Sequence, residues 1–280
     1  MPTTLIHAEA AVPLPAHLWR AARAVVGREI RKFLRQPARL ASALVRPLLW
    51  FVVFAAGFHN VFGVSIIPPY ETYIEYKVYM LPGLLGMIAL FNGMQSSLSL
   101  VYDREMGLMR LLLTAPLHRA WLLGFKLLAG TSLSVLQMVV FLIAAWLLGV
   151  ELEPLNALAA LPALVLAALL MASMGLVLSV HVRQLENFAG AMNFVIFPMF
   201  FISSALYPLW KFEEAGAWWL YRLAQFNPFT QAVETVRFAL HGQMYFTGWA
   251  VGVLGSLLFF AMAVRGYDPQ RGWMRKQGVA

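Results

Sequence analysis

Long uncharged runs, each about as long as a bilayer-crossing helix, dictate what this chain can become. Residues 127–148 and 158–180 contain no Asp, Glu, Lys or Arg. A stretch of about 20 such residues reads as a transmembrane helix. Composition agrees: 61% of the residues are hydrophobic and 12% charged, against roughly 45–50% and about 25% in soluble domains. The net charge of +8 does not point to nucleic acid, because the basic residues gather at the ends of apolar runs. The absence of cysteine excludes a disulfide framework, a thiolate nucleophile and a cysteine metal site.

The pattern predicts an all-α integral membrane protein with six spans, at 44–64, 81–101, 127–148, 158–180, 188–206 and 245–264. Pro47 falls in the first turn of the first span and Pro198 bends the fifth. The first run is too long for the core of a cleavable signal and is expected to remain a span. Alternate connecting segments and both ends hold seventeen of the Lys and Arg residues, against four on the other side. That bias predicts both termini, and the 102–126 segment, in the cytoplasm of a bacterial inner membrane.

Four parts follow in order. Residues 1–17 are Ala- and Pro-rich and read as disordered. Residues 18–39 form a basic amphipathic helix, with Arg20, Arg23, Arg28, Arg31, Lys32 and Arg35 among Trp19, Val25, Val26, Ile30, Phe33 and Leu34. Such a helix lies in the interface against anionic lipids. The transmembrane domain occupies 40–265, and residues 266–280 form a cytoplasmic tail.

Two connecting segments stand out. The first, 102–126, begins with Asp103, Arg104 and Glu105, carries Met106, Met109, Leu112 and Leu113 at helical spacing, and reaches Pro116, His118 and Arg119. It is too short and too charged to span, so it reads as a surface helix on which a soluble partner pushes. The second, 207–244, holds an aromatic belt of Trp210, Trp218, Trp219 and Tyr221, suited to the headgroup zone. Asn227-Pro228 then reads as an N-cap with a first-turn proline, and Glu234 and Arg237 stand at pairing distance on the helix that follows. This segment is either a re-entrant helical hairpin or a flat outer lid; irregular backbone at membrane depth must be buried in protein or line a cavity.

Signals of catalysis are missing. No lysine follows a glycine, so there is no P-loop, and the histidines lack metal-site spacing. The chain reads as a non-enzyme that holds no metal. In the second span Asn92, Gln95, Ser96 and Ser99 share one helix face; Gln137 in the third and Asn193 in the fifth are of the same kind. Two readings stand for them: interhelical hydrogen bonding, or the lining of a translocation path. Ala89, Gly93 and Ser97 form a small-xxx-small set for close helix approach, and Ala168, Ala172, Gly175 and Ser179 in the fourth span read as packing.

At these residues the chain resembles the membrane subunits of type-2 ATP-binding-cassette exporters. The resemblance rests on Leu81-Pro82-Gly83, on Asp103-Arg104-Glu105 with Gly107, on the run from Leu111 to Pro116 with Arg119, and on Asn227-Pro228 with Glu234 and Arg237. It implies a coupling helix at 102–119, in which Asp103, Arg104, Glu105, Gly107, Arg110, Thr114, Pro116 and Arg119 serve a partner ATPase. It implies an outer re-entrant segment at 207–244 and a homodimer joined to two cytoplasmic nucleotide-binding subunits, which carry the ATP and Mg. The exported cargo would be lipid-linked, a polysaccharide or a hydrophobic drug. One departure is present: where the family tends to carry a threonine and then an acidic residue, this chain has Leu108 and Arg110. From residue chemistry alone, a structural or assembly membrane protein and an ion-coupled transporter are the alternatives; missing intramembrane carboxylates weaken the second.

Overall fold

A computed structural model describes residues 19–57, 68–106 and 119–267, apart from a few positions inside those ranges. Every regular element among the described residues is a helix. In chain order they are α1 (Pro37–Gly57), α2 (Tyr76–Glu105), α3 (Arg119–Leu147), α4 (Pro154–Ala159), α5 (Leu161–His181), α6 (Leu185–Phe201), α7 (Trp210–Glu214), α8 (Trp218–Phe226), α9 (Pro228–Ala239) and α10 (Phe246–Gly266). The expected helix over 18–39 lies only partly within the described residues, and those of 19–31 that are described are helical.

Among the described residues four helical stretches are long and apolar enough to cross a membrane: Tyr76–Glu105, Ala120–Leu147, Pro154–His181 and Phe246–Gly266. Two more apolar stretches, Leu44–Gly57 and Leu185–Phe201, are shorter than that. Six full spans were expected, and the differences have local causes. Residues 58–67 lie outside the described residues, so the far end of the first predicted span is not described. The fifth, predicted to reach residue 206, leaves the helix at Ile202, whose N–H makes the last helical bond to the Pro198 carbonyl. The third starts at Arg119 instead of 127, so Lys126 lies two turns inside it rather than in a connecting segment.

α2 is the central rod. Tyr79, Met80, Leu84, Leu85, Leu90 and Met94 along it are fully buried. Its closest neighbour is α5, and the small residues explain why. A Cβ on Gly93 would stand 2.6 Å from the Met171 carbonyl carbon, and one on Gly175 would meet the Gly93 carbonyl oxygen at 2.5 Å and Ser97 Oγ at 2.8 Å. The two small-residue sets read from the sequence therefore face each other, with backbone in contact as lipid-embedded helices require when no hydrophobic force draws them together. α1 joins through Trp50, stacked on Phe54 and edge-on to Phe200. α10 covers the outer side of α5, where a Cβ on Gly252 would meet Leu166.

Candidate functional site

Two polar centres sit at opposite ends of α2. At the Glu105 end, the triplet Asp103-Arg104-Glu105 forms the last turn of α2, continuous with the apolar rod; the Met106 N–H closes it on the Tyr102 carbonyl. Each of the three charges reaches a different helix. Asp103 pairs with Lys126 of α3, and both side chains are largely buried, at 20% and 11% exposure. Arg104 donates to the carbonyls of Ser179 (3.1 Å) and Val182 (3.4 Å) at the C-terminal end of α5. The Glu105 carboxylate accepts the backbone N–H of Leu185, the first residue of α6, at 3.3 Å.

The signs suit the helix ends. A cation rests on the unsatisfied carbonyls closing α5 and a carboxylate rests on the free N–H opening α6. Gln184, the residue in the cap position of α6, makes no side-chain cap, so Glu105 supplies one from across the bundle. The other positions expected to serve a partner, Gly107, Arg110, Thr114 and Pro116, lie outside the described residues, and Arg119 opens α3.

At the opposite end the chain between α6 and α7 is irregular, and its carbonyls are collected by side chains of α2 and α9. Tyr76 Oη donates to Leu206 O at 2.7 Å and Tyr79 Oη to Ser204 O at 3.1 Å. Asn227 Nδ2 donates to Met199 O and Ile202 O at 2.7 Å each, while its Oδ1 accepts the Phe229 N–H at 2.9 Å and caps α9. Arg237 is 2% exposed. It pairs with Glu234, donates to Ser204 O at 2.8 Å, and lies 4.1 Å over the Tyr79 ring. Gly83 is needed here, because a side chain on it would strike the Ala205 backbone. Residues 203–206 of the irregular stretch are thus buried, and the carbonyls of Ile202, Ser204 and Leu206 are met by side chains, as such chain near a bilayer requires. Tyr70, in the loop before α2, packs against Tyr79 and His241, and burial pushes its phenol up to about 12, so it stays protonated.

The polar stripe divides. Asn92 Nδ2 donates to Gln137 Oε1 at 2.6 Å, joining α2 to α3. Ser96 and Ser99 turn back to the carbonyls of Gly93 (3.0 Å) and Ser96 (2.8 Å). Gln95 and Asn193 are exposed, on α2 and α6. Sequence reasoning missed Lys126, Tyr76, Tyr79 and the backbone partners of Arg104 and Glu105. Lys126 had a signal: a lysine inside an apolar helix needs a carboxylate at its own depth, and Asp103 closes the neighbouring span. Among the described residues no three His, Asp or Glu side chains group so as to hold a metal.

A helical bundle with buried polar joints at both ends of a central rod, and long apolar outer faces, defines a multi-pass membrane protein. The family model for the ABC-2 type transporter matches residues 20–241. A chain of Pyropia yezoensis named as a transport permease, ycf38, is 28% identical over 77% of this chain and 72% of its own. The corresponding protein of Cyanophora paradoxa is 30% identical over 73% of this chain and 68% of its own. The chain belongs to the ABC-2 type transporter family. It is a transmembrane permease of an ABC transporter, a transport subunit rather than an enzyme, and the family implies association with an ATP-binding subunit.

Proposed function

We propose that this permease exports its cargo outward as a homodimer driven by a separate cytoplasmic ABC ATPase, which binds the ATP and Mg. The single observation that carries this reading is the family match running unbroken from residue 20 to 241. The segment 102–119 is the docking element, with Gly107, Arg110, Thr114, Pro116 and Arg119 nearest the ATPase. Both termini in the cytoplasm are supported by the lopsided distribution of Lys and Arg; six spans in a bacterial inner membrane complete the reading. The amphipathic helix at 18–39 rests on membrane lipid, its described arginines Arg20, Arg28 and Arg31 being among the candidates to meet headgroups. The 207–244 segment dips into the outer leaflet, supported by a preceding stretch in which the carbonyls of Ile202, Ser204 and Leu206 are met by Asn227, Tyr79, Arg237 and Tyr76. Of the polar stripe, Gln95 and Asn193 suit a cargo path, since the other members spend their hydrogen bonds inside the bundle. A lipid-linked or hydrophobic cargo fits so apolar a body, and the family resemblance adds polysaccharides to the candidates.

The chain has no cysteine, which makes the test clean. Arg110→Cys and Arg119→Cys variants are treated with a membrane-impermeant maleimide in intact cells and in inverted vesicles, and the chain is co-expressed with a P-loop protein encoded beside it. Labelling in vesicles alone and co-purification of an active ATPase are expected. Labelling of either position in intact cells would place the docking element on the wrong side and end the reading.

A further inference from the structure

We infer that Asp103 and Arg104, with Lys126, are not contacts for the ATPase but a joint that locks the docking element to its neighbouring helices, with Glu105 adding a link to α6 at the exposed edge. The inference rests on the export reading above and concerns how force enters the bundle. A side chain that meets a soluble partner needs free polar atoms. Here Asp103 is occupied by Lys126 and shielded with it, and Arg104 by the carbonyl end of α5; Glu105 is exposed and gives one oxygen to the N–H of Leu185, keeping the other for solvent or a partner. The Asp103–Lys126 pair also joins the two stems, α2 and α3, between which residues 107–118 run. A push on that segment therefore arrives at one block made of the ends of α2, α3, α5 and α6.

The block has a rod to act through. From Glu105 to Tyr79, α2 runs as one helix over about 39 Å at 1.5 Å per residue, lacking a ladder bond only at Pro82 near its start, and Tyr79 belongs to the polar centre holding the irregular stretch at the other end. Between them α2 touches α5 backbone to backbone at Gly93 and Gly175, so the two helices move together. Lys126 is thus a positioning residue for coupling: without it the stems separate and a push between them no longer moves the rod.

The test uses the full permease in complex with its ATPase, in liposomes, carrying Ser204→Cys as a reporter. Ser204 is 2% exposed and its hydroxyl has no partner. The labelling rate with an impermeant maleimide is read with and without a non-hydrolysable ATP analogue and Mg. In this background nucleotide is expected to raise the rate. Lys126→Gln should keep the ATPase bound yet lose that response by about tenfold, within the range of about 5- to 150-fold usual for coupling between sites. The exchanged pair Asp103→Lys with Lys126→Asp should restore it. Loss of the ATPase from Lys126→Gln with the fold intact would make this pair a docking contact, and an unchanged response would make it packing; either overturns the inference. If Lys126→Gln does not fold, the exchanged pair decides: a restored response supports the joint, and no restoration refutes it. A parent reporter that ignores nucleotide takes down the export reading itself, and the joint with it.

Discussion

Arg237→Met should be the most damaging single change in the bundle. The side chain is 2% exposed and pairs with Glu234, itself only 17% exposed. Removing the cation leaves a largely buried carboxylate without a counter-charge, and breaking a buried pair from one side costs about 3–5 kcal/mol. The Ser204 carbonyl keeps Tyr79 as a donor, so that loss is partly covered and adds little. The folded-to-unfolded ratio should fall by roughly two to three and a half orders of magnitude. Glu234→Gln is milder, at about 1–2 kcal/mol, because the amide oxygen still accepts from the guanidinium, which keeps the Tyr79 ring and the Ser204 carbonyl. The double variant buries neither charge and should cost less than the two singles together by at least about 1 kcal/mol. Reversible unfolding in mixed micelles, followed by ellipticity as SDS is titrated in, measures all four corners of the cycle. Strict additivity, or an Arg237→Met loss below about 1 kcal/mol, would refute the reasoning, since the pair would then behave as a solvated surface pair.

Two further outcomes follow from the same contacts. Gly93→Val should destabilise by at least about 2–3 kcal/mol and separate α2 from α5, since even a Cβ would stand 2.6–2.7 Å from the backbone of Met171 and Ala172 and overpacking of this kind has no flexible atom to move; the same unfolding titration checks it, and a near-neutral result would mean the helices do not cross there. Gln137→Leu combined with Asn92→Leu should leave stability within about 1 kcal/mol, because interhelical hydrogen bonds in membranes average only about 0.6 kcal/mol; a large loss by the same assay would give that pair a role beyond holding α2 to α3.

What could be read from the sequence depended on how far each residue's partner lay along the chain. The cap at Asn227, the proline after it and the Glu234–Arg237 pair need only a few residues of context, and each interaction is present in the structure. The small-residue faces of α2 and α5 were legible as faces because their period is helical, although nothing in the sequence says which face meets which. The burial of Arg237 was not legible. It depends on α6 stopping at Phe201 and offering free carbonyls to a helix some 30 residues on, and charge at an i, i+3 spacing looks the same in water as in a core. The partners of the triplet at 103–105 were hidden for the same reason: they lie 23 to 80 residues away, and three of them are backbone groups at helix ends, which no residue type announces. A charge beside a span has two fates, solvent or the dipole of a neighbouring helix end, and only the packing of α5 and α6 against α2 chooses between them. That packing is set by Gly93 and Gly175, which bring the end of α5 within reach of Arg104. The small residues in mid-span therefore decide what the charges at its end can do, and a bulky side chain at Gly93 would strip Arg104 and Glu105 of their partners three turns away.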